Sequence, residues 1–246
     1  MPILLELDSV TKYYDSKKVI NNLSVRIDSN EFVALVGNNG IGKTTLIKII
    51  CNLVDYTGIF SFKGKIVIPS EYKYRKQIGV IISDEVLIDD FTVIEYLEFL
   101  SVIYEIKYNL SKLKELLFLF DIQNKSNFLI KNLSKGERMK ILFISSLINK
   151  PTFLLYDEPF INIDIQTTEK FMHILKSFKG KKTLFITSHN IDLVADLCER
   201  FLIMDDGTII MDINKSDYKS VYELKKTIKE KLTGNMQIKD ISWLNL

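Results

Sequence analysis

The stretch GNNGIGKTT, Gly37 to Thr45, meets every position of the pattern G-x-x-x-x-G-K-[ST]: Gly37, then Asn38, Asn39, Gly40 and Ile41, then Gly42, Lys43 and Thr44. Glycines at these places let the backbone wrap so that successive N–H groups point at phosphate oxygens. A helix opening here adds its positive end to the same target. Lys43 can then reach the β- and γ-phosphates of a nucleotide, the Thr44 hydroxyl can bind Mg²⁺, and Thr45 can add a phosphate contact. A triphosphate site needs a second metal ligand. The segment FLLYDE, Phe153 to Glu158, ends an apolar run in two acids. Asp157 would hold Mg²⁺ directly or through water, and Glu158 could polarise an attacking water.

These residues need strands and helices to position them. EFVALV, Glu31 to Val36, reads as a buried strand, and the helical spacing of Thr45–Val54 reads as the helix after the glycine loop. Leu4–Val10, Val25–Ile27, Ile59–Phe62, Ile66–Ile68 and Ile78–Ile82 read as further strands. From about residue 84 to 135 the pattern becomes helical: Val93–Tyr104 and Leu113–Phe120 have apolar residues three and four apart, with Ser111 expected as an N-cap. Strands return at Phe153–Tyr156, Thr183–Thr187 and Phe201–Met204, separated by helices at Lys135–Ile148, Thr167–Phe178 and Ile191–Cys198, and a lysine-rich helix spans Tyr218–Leu232. Alternating strands and helices imply an α/β fold with a parallel sheet core covered on both faces, preceded by an N-terminal β region and interrupted by an inserted α-helical subdomain. The expected division is a domain over 1–214 and a short helical tail over 215–246.

Composition bounds the rest. The chain has 246 residues, 47% of them hydrophobic, and a formal net charge of +2. It can bury a substantial core, and its near-neutral balance argues against a dedicated nucleic-acid binder. Cys51 and Cys198 lie in unrelated contexts, fit a reducing compartment and read as buried structural thiols. The start, MPILLELDSV, lacks the basic residues and apolar stretch of a signal peptide. No apolar run approaches the ~20 residues that span a bilayer. A cytoplasmic chain is expected, reaching a membrane only through other proteins.

Four more segments complete a set: LSKGE (Leu133–Glu137), FINID (Phe160–Asp164), TSHN (Thr187–Asn190) and TKYYD (Thr11–Asp15). With the phosphate loop and the Asp–Glu pair, in this order and at these intervals, they resemble the ATP-binding subunit of an ABC transporter, over roughly Leu4 to Ile213. The resemblance implies a P-loop NTPase fold with an antiparallel N-terminal β region, and ATP and Mg²⁺ as cofactors. It implies that Tyr14 stacks on adenine, Tyr13 being the other choice. LSKGE is similar to the family's LSGGQ signature, so Ser134 and Gly136 would contact the γ-phosphate of ATP held by an opposite subunit. Asp164 would link the two sites across the dimer, and His189 would be the switch histidine near Glu158. His173 has no such place and reads as a surface or packing residue.

Three departures stand out. Lys135 replaces a glycine of the signature, and Glu137 replaces its glutamine; Glu137 could sit at the helix N-terminus rather than on phosphate. Ser83 stands where the family has the glutamine after the strand Ile78–Ile82, followed by Asp84 and Glu85. The resemblance implies a motor subunit: two copies, or a copy and a paired subunit, sandwich two ATP molecules and pull on separate polytopic membrane subunits, with no nucleic acid involved. Phe91–Tyr104 resembles subunits of bacterial exporters, which points to export of drugs, peptides or lipids. A small P-loop kinase would not explain LSKGE or His189. A soluble ATPase of the same class, or an ATP sensor without turnover, remains the alternative.

Overall fold

In a computed structural model, FVALV forms a strand with every residue buried, and its period of two serves both faces of a sheet. Phe32, Ala34 and Val36 face one core cluster, while Val33 and Leu35 face another. The structure describes residues 2–68, 72–82, 87–106, 110–161 and 163–233.

In chain order the elements are β1 (Ile3–Tyr14), β2 (Lys17–Asp28), β3 (Phe32–Val36), α1 (Lys43–Ile50), β4 (Thr57–Phe62), β5 (Lys65–Ile66), β6 (Ile78–Ile81), α2 (Val93–Ile103), α3 (Leu110–Leu119), α4 (Lys135–Ile148), β7 (Phe153–Asp157), α5 (Ile165–Ser177), β8 (Thr183–Ser188), α6 (Ile191–Leu197), β9 (Arg200–Asp205), β10 (Thr208–Asn214) and α7 (Val221–Thr233). They build a four-stranded sheet, β2-β1-β4-β5, and a six-stranded sheet, β10-β9-β3-β8-β7-β6. The first is antiparallel. The second is parallel from β9 to β6, with β10 antiparallel at its edge. Helix α1 and the antiparallel sheet cover one face of the large sheet, while α4, α5, α6 and α7 cover the other together with α2 and α3. The expected architecture is therefore present, with α2 and α3 between β6 and α4. Helix α7 docks through Leu224 and Ile228, both fully buried.

Several local expectations are corrected. Strands β1 and β2 run well beyond Val10 and begin well before Val25, because they pair with each other along nearly their whole length, including Tyr14 with Lys17. Helix α1 starts at Lys43 and stops at Ile50 rather than running to Val54. Asn52 adopts a left-handed φ of 52°, and the Leu53 and Asn52 N–H groups return to the carbonyls of Lys48 and Ile49, a Schellman closure. Ser111 lies inside the first turn of α3 rather than capping it. Strand β5 stops at Ile66. Strand β10 was not expected; the turn before it, with Asp206 at φ 39° and Gly207 at φ 73°, has the two left-handed residues that join tight hairpins. Ser83, Asp84, Glu85, Asn162 and the tail 234–246 lie outside the described residues.

Candidate functional site

The glycine loop leaves β3 and turns into α1 through Gly42, whose φ of 110° and ψ of 4° suit no other residue type. A Cβ there would lie 2.8 Å from the Val19 carbonyl oxygen, and one on Gly37 would lie 2.6 Å from that of Met204. The loop is thus pressed against β2 and β9, while Asn38, Asn39 and Gly40 face solvent. Ile41 packs inward against the antiparallel-sheet core. The first N–H groups of α1 have no partner within the helix, so the loop and helix end together offer an anion cradle.

Lys43 is 6% exposed. Its ammonium donates to the carbonyl oxygens of Gly37 and Asn38 at 2.8 and 2.9 Å and lies 3.6 Å from Glu158 Oε1. Burial pulls its pKa below the usual lysine value, opposed by the nearby Glu158 and Asp157 charges. Asp157, at the end of β7, is fully buried. The Thr44 hydroxyl donates to its Oδ2 at 2.7 Å and the Thr187 hydroxyl to its Oδ1 at 2.5 Å. Glu158 follows in a left-handed conformation, φ 49°, rare for a residue with a side chain and common at strained functional sites. Its N–H donates to the Thr187 hydroxyl at 3.0 Å. Its Oε2 lies 2.9 Å from His189 Nδ1, while its Oε1 is buried with no hydrogen-bond partner.

Gly40, Gly42, Lys43, Thr44, Thr45 and Glu158 line one cavity of about 300 Å³, with Val19, Asn39 and Ile161. Residues more than a hundred positions apart in the chain are thus brought within a few ångströms, because β3 and β7 both pair with β8 and end at the same edge. Thr187 and Val19 were missed as site residues. Thr187 opens the TSHN segment and ends an apolar strand, which was the available signal; Val19 carried none.

The other expected residues lie elsewhere in this single chain. Ser134 caps α4: its oxygen accepts from the Glu137 N–H at 3.2 Å, and Glu137 accepts from the Ser134 N–H at 2.8 Å. Glu137 therefore completes a capping box, and that backbone hydrogen bond holds its carboxyl below the ordinary glutamate range. Ser134 and Lys135 are exposed, and Gly136 is half-buried in the same turn. Asp164 caps α5 by accepting from the Thr167 N–H and hydroxyl at 2.8 and 2.7 Å. Tyr14 is 42% exposed at the end of β1 and faces a second cavity with Lys12, Tyr13 and Asp55. Cys51 and Cys198 are buried free thiols, and His173 is exposed.

A family model described as ABC transporter matches residues 20–161. An uncharacterized ABC transporter ATP-binding protein of Methanocaldococcus jannaschii is 30% identical over 84% of this chain and 76% of its own length. The lipopolysaccharide export system ATP-binding protein LptB of Haemophilus influenzae is 31% identical over 84% of this chain and 89% of its own. Among solved structures, a dimeric ATP-binding cassette in a post-hydrolysis state with ADP and Pi superposes with a TM-score of 0.78 at 26% identity, over 86% of this chain and 98% of that one.

Proposed function

The chain belongs to the ABC transporter family and is an ATPase, and from that premise we propose that it is the motor subunit of a transporter whose membrane subunits are separate chains. The reading rests on one observation: Lys43, Thr44 and Glu158 line a single cavity, backed by Asp157 and His189. Among the described residues no helix is long and apolar enough to cross a membrane. The relative from Haemophilus influenzae is named for lipopolysaccharide export, and export of a lipid, peptide or drug is the direction proposed here.

Each side chain has a task in the hydrolysis of ATP. Lys43 exchanges its two loop carbonyls for β- and γ-phosphate oxygens. Glu158 accepts a proton from the attacking water: its Oε1 has no hydrogen-bond partner and faces only the Lys43 ammonium at 3.6 Å, and His189 holds the other oxygen. His189, half-exposed at the rim, can turn to the γ-phosphate. Among the described residues no cluster of three or more His, Cys, Asp or Glu could hold a metal. One carboxylate and one hydroxyl suit Mg²⁺, which keeps phosphate and water oxygens for its remaining positions. Thr44 and Asp157 would hold it, and it would supply charge neutralisation on the phosphate oxygens. Tyr14 would stack on the base. Tyr14 pairs with Lys17, two residues from the cavity-lining Val19, a separation of about 7 Å along a strand. Ser134, Gly136 and Asp164 would meet the ATP of a second subunit.

The test is purification of the tagged chain from its own cells in mild detergent. A polytopic membrane protein should accompany it at a fixed ratio and raise its ATPase rate. A chain that comes alone, with an ATPase rate that no membrane fraction changes, would overturn the transport reading.

A further inference from the structure

Lys12 is 5% exposed, an unusual state for a lysine, which is almost never buried unpaired. Its ammonium donates to Asp55 at 2.7 Å, yet the Asp55 side chain is 97% exposed. A carboxylate so open to water returns little for a desolvated ammonium. The second neighbour is the Tyr14 ring, whose centroid lies 4.8 Å from the ammonium. Lys12 and Tyr14 stand two apart on β1. Tyr14 is the last residue of that strand, followed by Asp15 at φ 52°, and the ring remains 42% exposed.

The neighbouring tyrosine provides a contrast. Tyr13 also has an ammonium over its ring, that of Lys18 at 5.5 Å. Lys18, however, is exposed and gives its ammonium to Asn21 at 3.2 Å. Its stem is free to leave the ring, whereas that of Lys12 is held in the core.

We propose that Lys12, itself held by burial, is a positioning residue for nucleotide binding: it holds the Tyr14 ring in one orientation, with one face taken by the buried ammonium and the other open for a base. This rests on the reading of Tyr14 as the residue that stacks on adenine. An exposed aromatic ring at a strand end otherwise has to be ordered when ligand arrives, and that ordering subtracts from affinity. A desolvated cation–π contact orders it beforehand. The cation also draws π-electron density away from the open face, which lowers the face-to-face repulsion that disfavours direct stacking.

The experiment is calorimetric binding of Mg-ATP and of Mg-tripolyphosphate, which has no base, to four proteins: wild type, Tyr14→Ala, Lys12→Met and the double variant. Tyr14→Ala should weaken ATP about 10-fold or more, and Lys12→Met about 3- to 10-fold. The double variant should bind ATP no more weakly than Tyr14→Ala, because Lys12 acts only through that ring. Tripolyphosphate affinity should be the same in all four, and Lys12→Arg should recover most of the loss. Unchanged ATP affinity in Lys12→Met beside a weakened Tyr14→Ala would overturn the positioning role and leave stacking standing. Unchanged affinity in Tyr14→Ala would overturn stacking, and the positioning role with it. An equal loss for tripolyphosphate in Lys12→Met would assign Lys12 to the fold alone and overturn the proposal. Should Lys12→Met fail to fold, Lys12→Gln, which also removes the charge over the ring, carries the test. It must weaken ATP without weakening tripolyphosphate, and equal ATP affinity overturns the proposal.

Discussion

Replacing Glu158 with glutamine separates binding from chemistry at this site. The side chain is 11% exposed and held on one side by His189, so an amide of the same shape can occupy its place. The amide cannot accept the proton that Oε1, which has no hydrogen-bond partner, would take. A general base contributes about 10²–10⁴-fold, so the barrier should rise by roughly 2.7–5.4 kcal/mol at 1.36 per decade. Affinity for ATP should move the other way. A carboxylate held about 5 Å from a phosphate charge repels it by roughly 1 kcal/mol in water-like surroundings and 3 at a surface-like dielectric. Glu158→Gln should therefore bind ATP at least as tightly as wild type while turning over a hundredfold or more slowly. The uncleaved nucleotide should hold a dimer that wild type forms transiently. Single-turnover hydrolysis with radiolabelled ATP gives the rate, and light scattering gives the mass with and without nucleotide. Hydrolysis at the wild-type rate would refute the role of Glu158. Slow hydrolysis with equally reduced ATP affinity would show instead that the carboxylate serves only to place Lys43.

Lys43→Ala removes the ammonium that would meet the β- and γ-phosphates; at about 1.5–3 kcal/mol per charge-assisted hydrogen bond, ATP binding by calorimetry should fall 10- to 100-fold or more in a chain that still folds, and unchanged affinity would sink the phosphate-loop assignment. Asp157→Asn should shift the Mg²⁺ dependence of turnover to higher concentration, while Ser83→Ala should not; if Ser83→Ala matches Asp157→Asn, Ser83 is a primary ligand beside Asp157, and the assignment of the metal to Thr44 and Asp157 without it is wrong. Glu137 carries a pH signature. Its folded pKa is depressed by the Ser134 N–H, so the stability it adds is present above the unfolded glutamate value and is lost as pH falls through the folded one. The stability gap between wild type and Glu137→Gln in urea should be full near neutral pH and should shrink as pH falls below the unfolded glutamate value of about 4.3; a gap that stays constant would deny the carboxylate any role at the α4 N-terminus.

What could be read beforehand followed the chemistry of each residue. The phosphate loop and the Asp–Glu pair were legible because their residue types leave few alternatives at a strand end. The large sheet was legible because β3, β7 and β8 are buried on both faces and read as continuous apolar runs. Lys12 hid the end of β1, since a buried lysine looks like a loop residue until its two partners are known. Strand β10 is an edge strand with its exposed residues alternating against half-buried ones, a weak signal that the Asp206–Gly207 turn could have strengthened. Thr187 was passed over beside His189, because a threonine gains a role here only through Asp157, which lies thirty residues away in the chain.

The residues gathered at the cavity and those that lie elsewhere divide along one physical line. Lys43, Thr44, Asp157, Glu158 and His189 are tied to one another by charge and hydrogen bonds, so the single chain holds them in place without ligand. Ser134 and Asp164 are satisfied locally, each by the N–H three residues ahead. That arrangement does not use them up. The Ser134 hydroxyl accepts in the capping box and keeps its own proton to donate. The first N–H groups of α4 stay free of intrahelical partners, so on the proposed reading the turn carrying Lys135 and Gly136 would present donors to an incoming phosphate. Glu137, the charged replacement of a neutral residue, would repel that phosphate if it pointed outward. Closing the capping box turns its carboxylate back onto the Ser134 N–H, and Lys125, 3.6 Å away, offsets its charge. A glutamate is thus tolerated at this position because the helix end takes up its charge, leaving Lys135 as the charge that the opposite subunit's triphosphate would meet first.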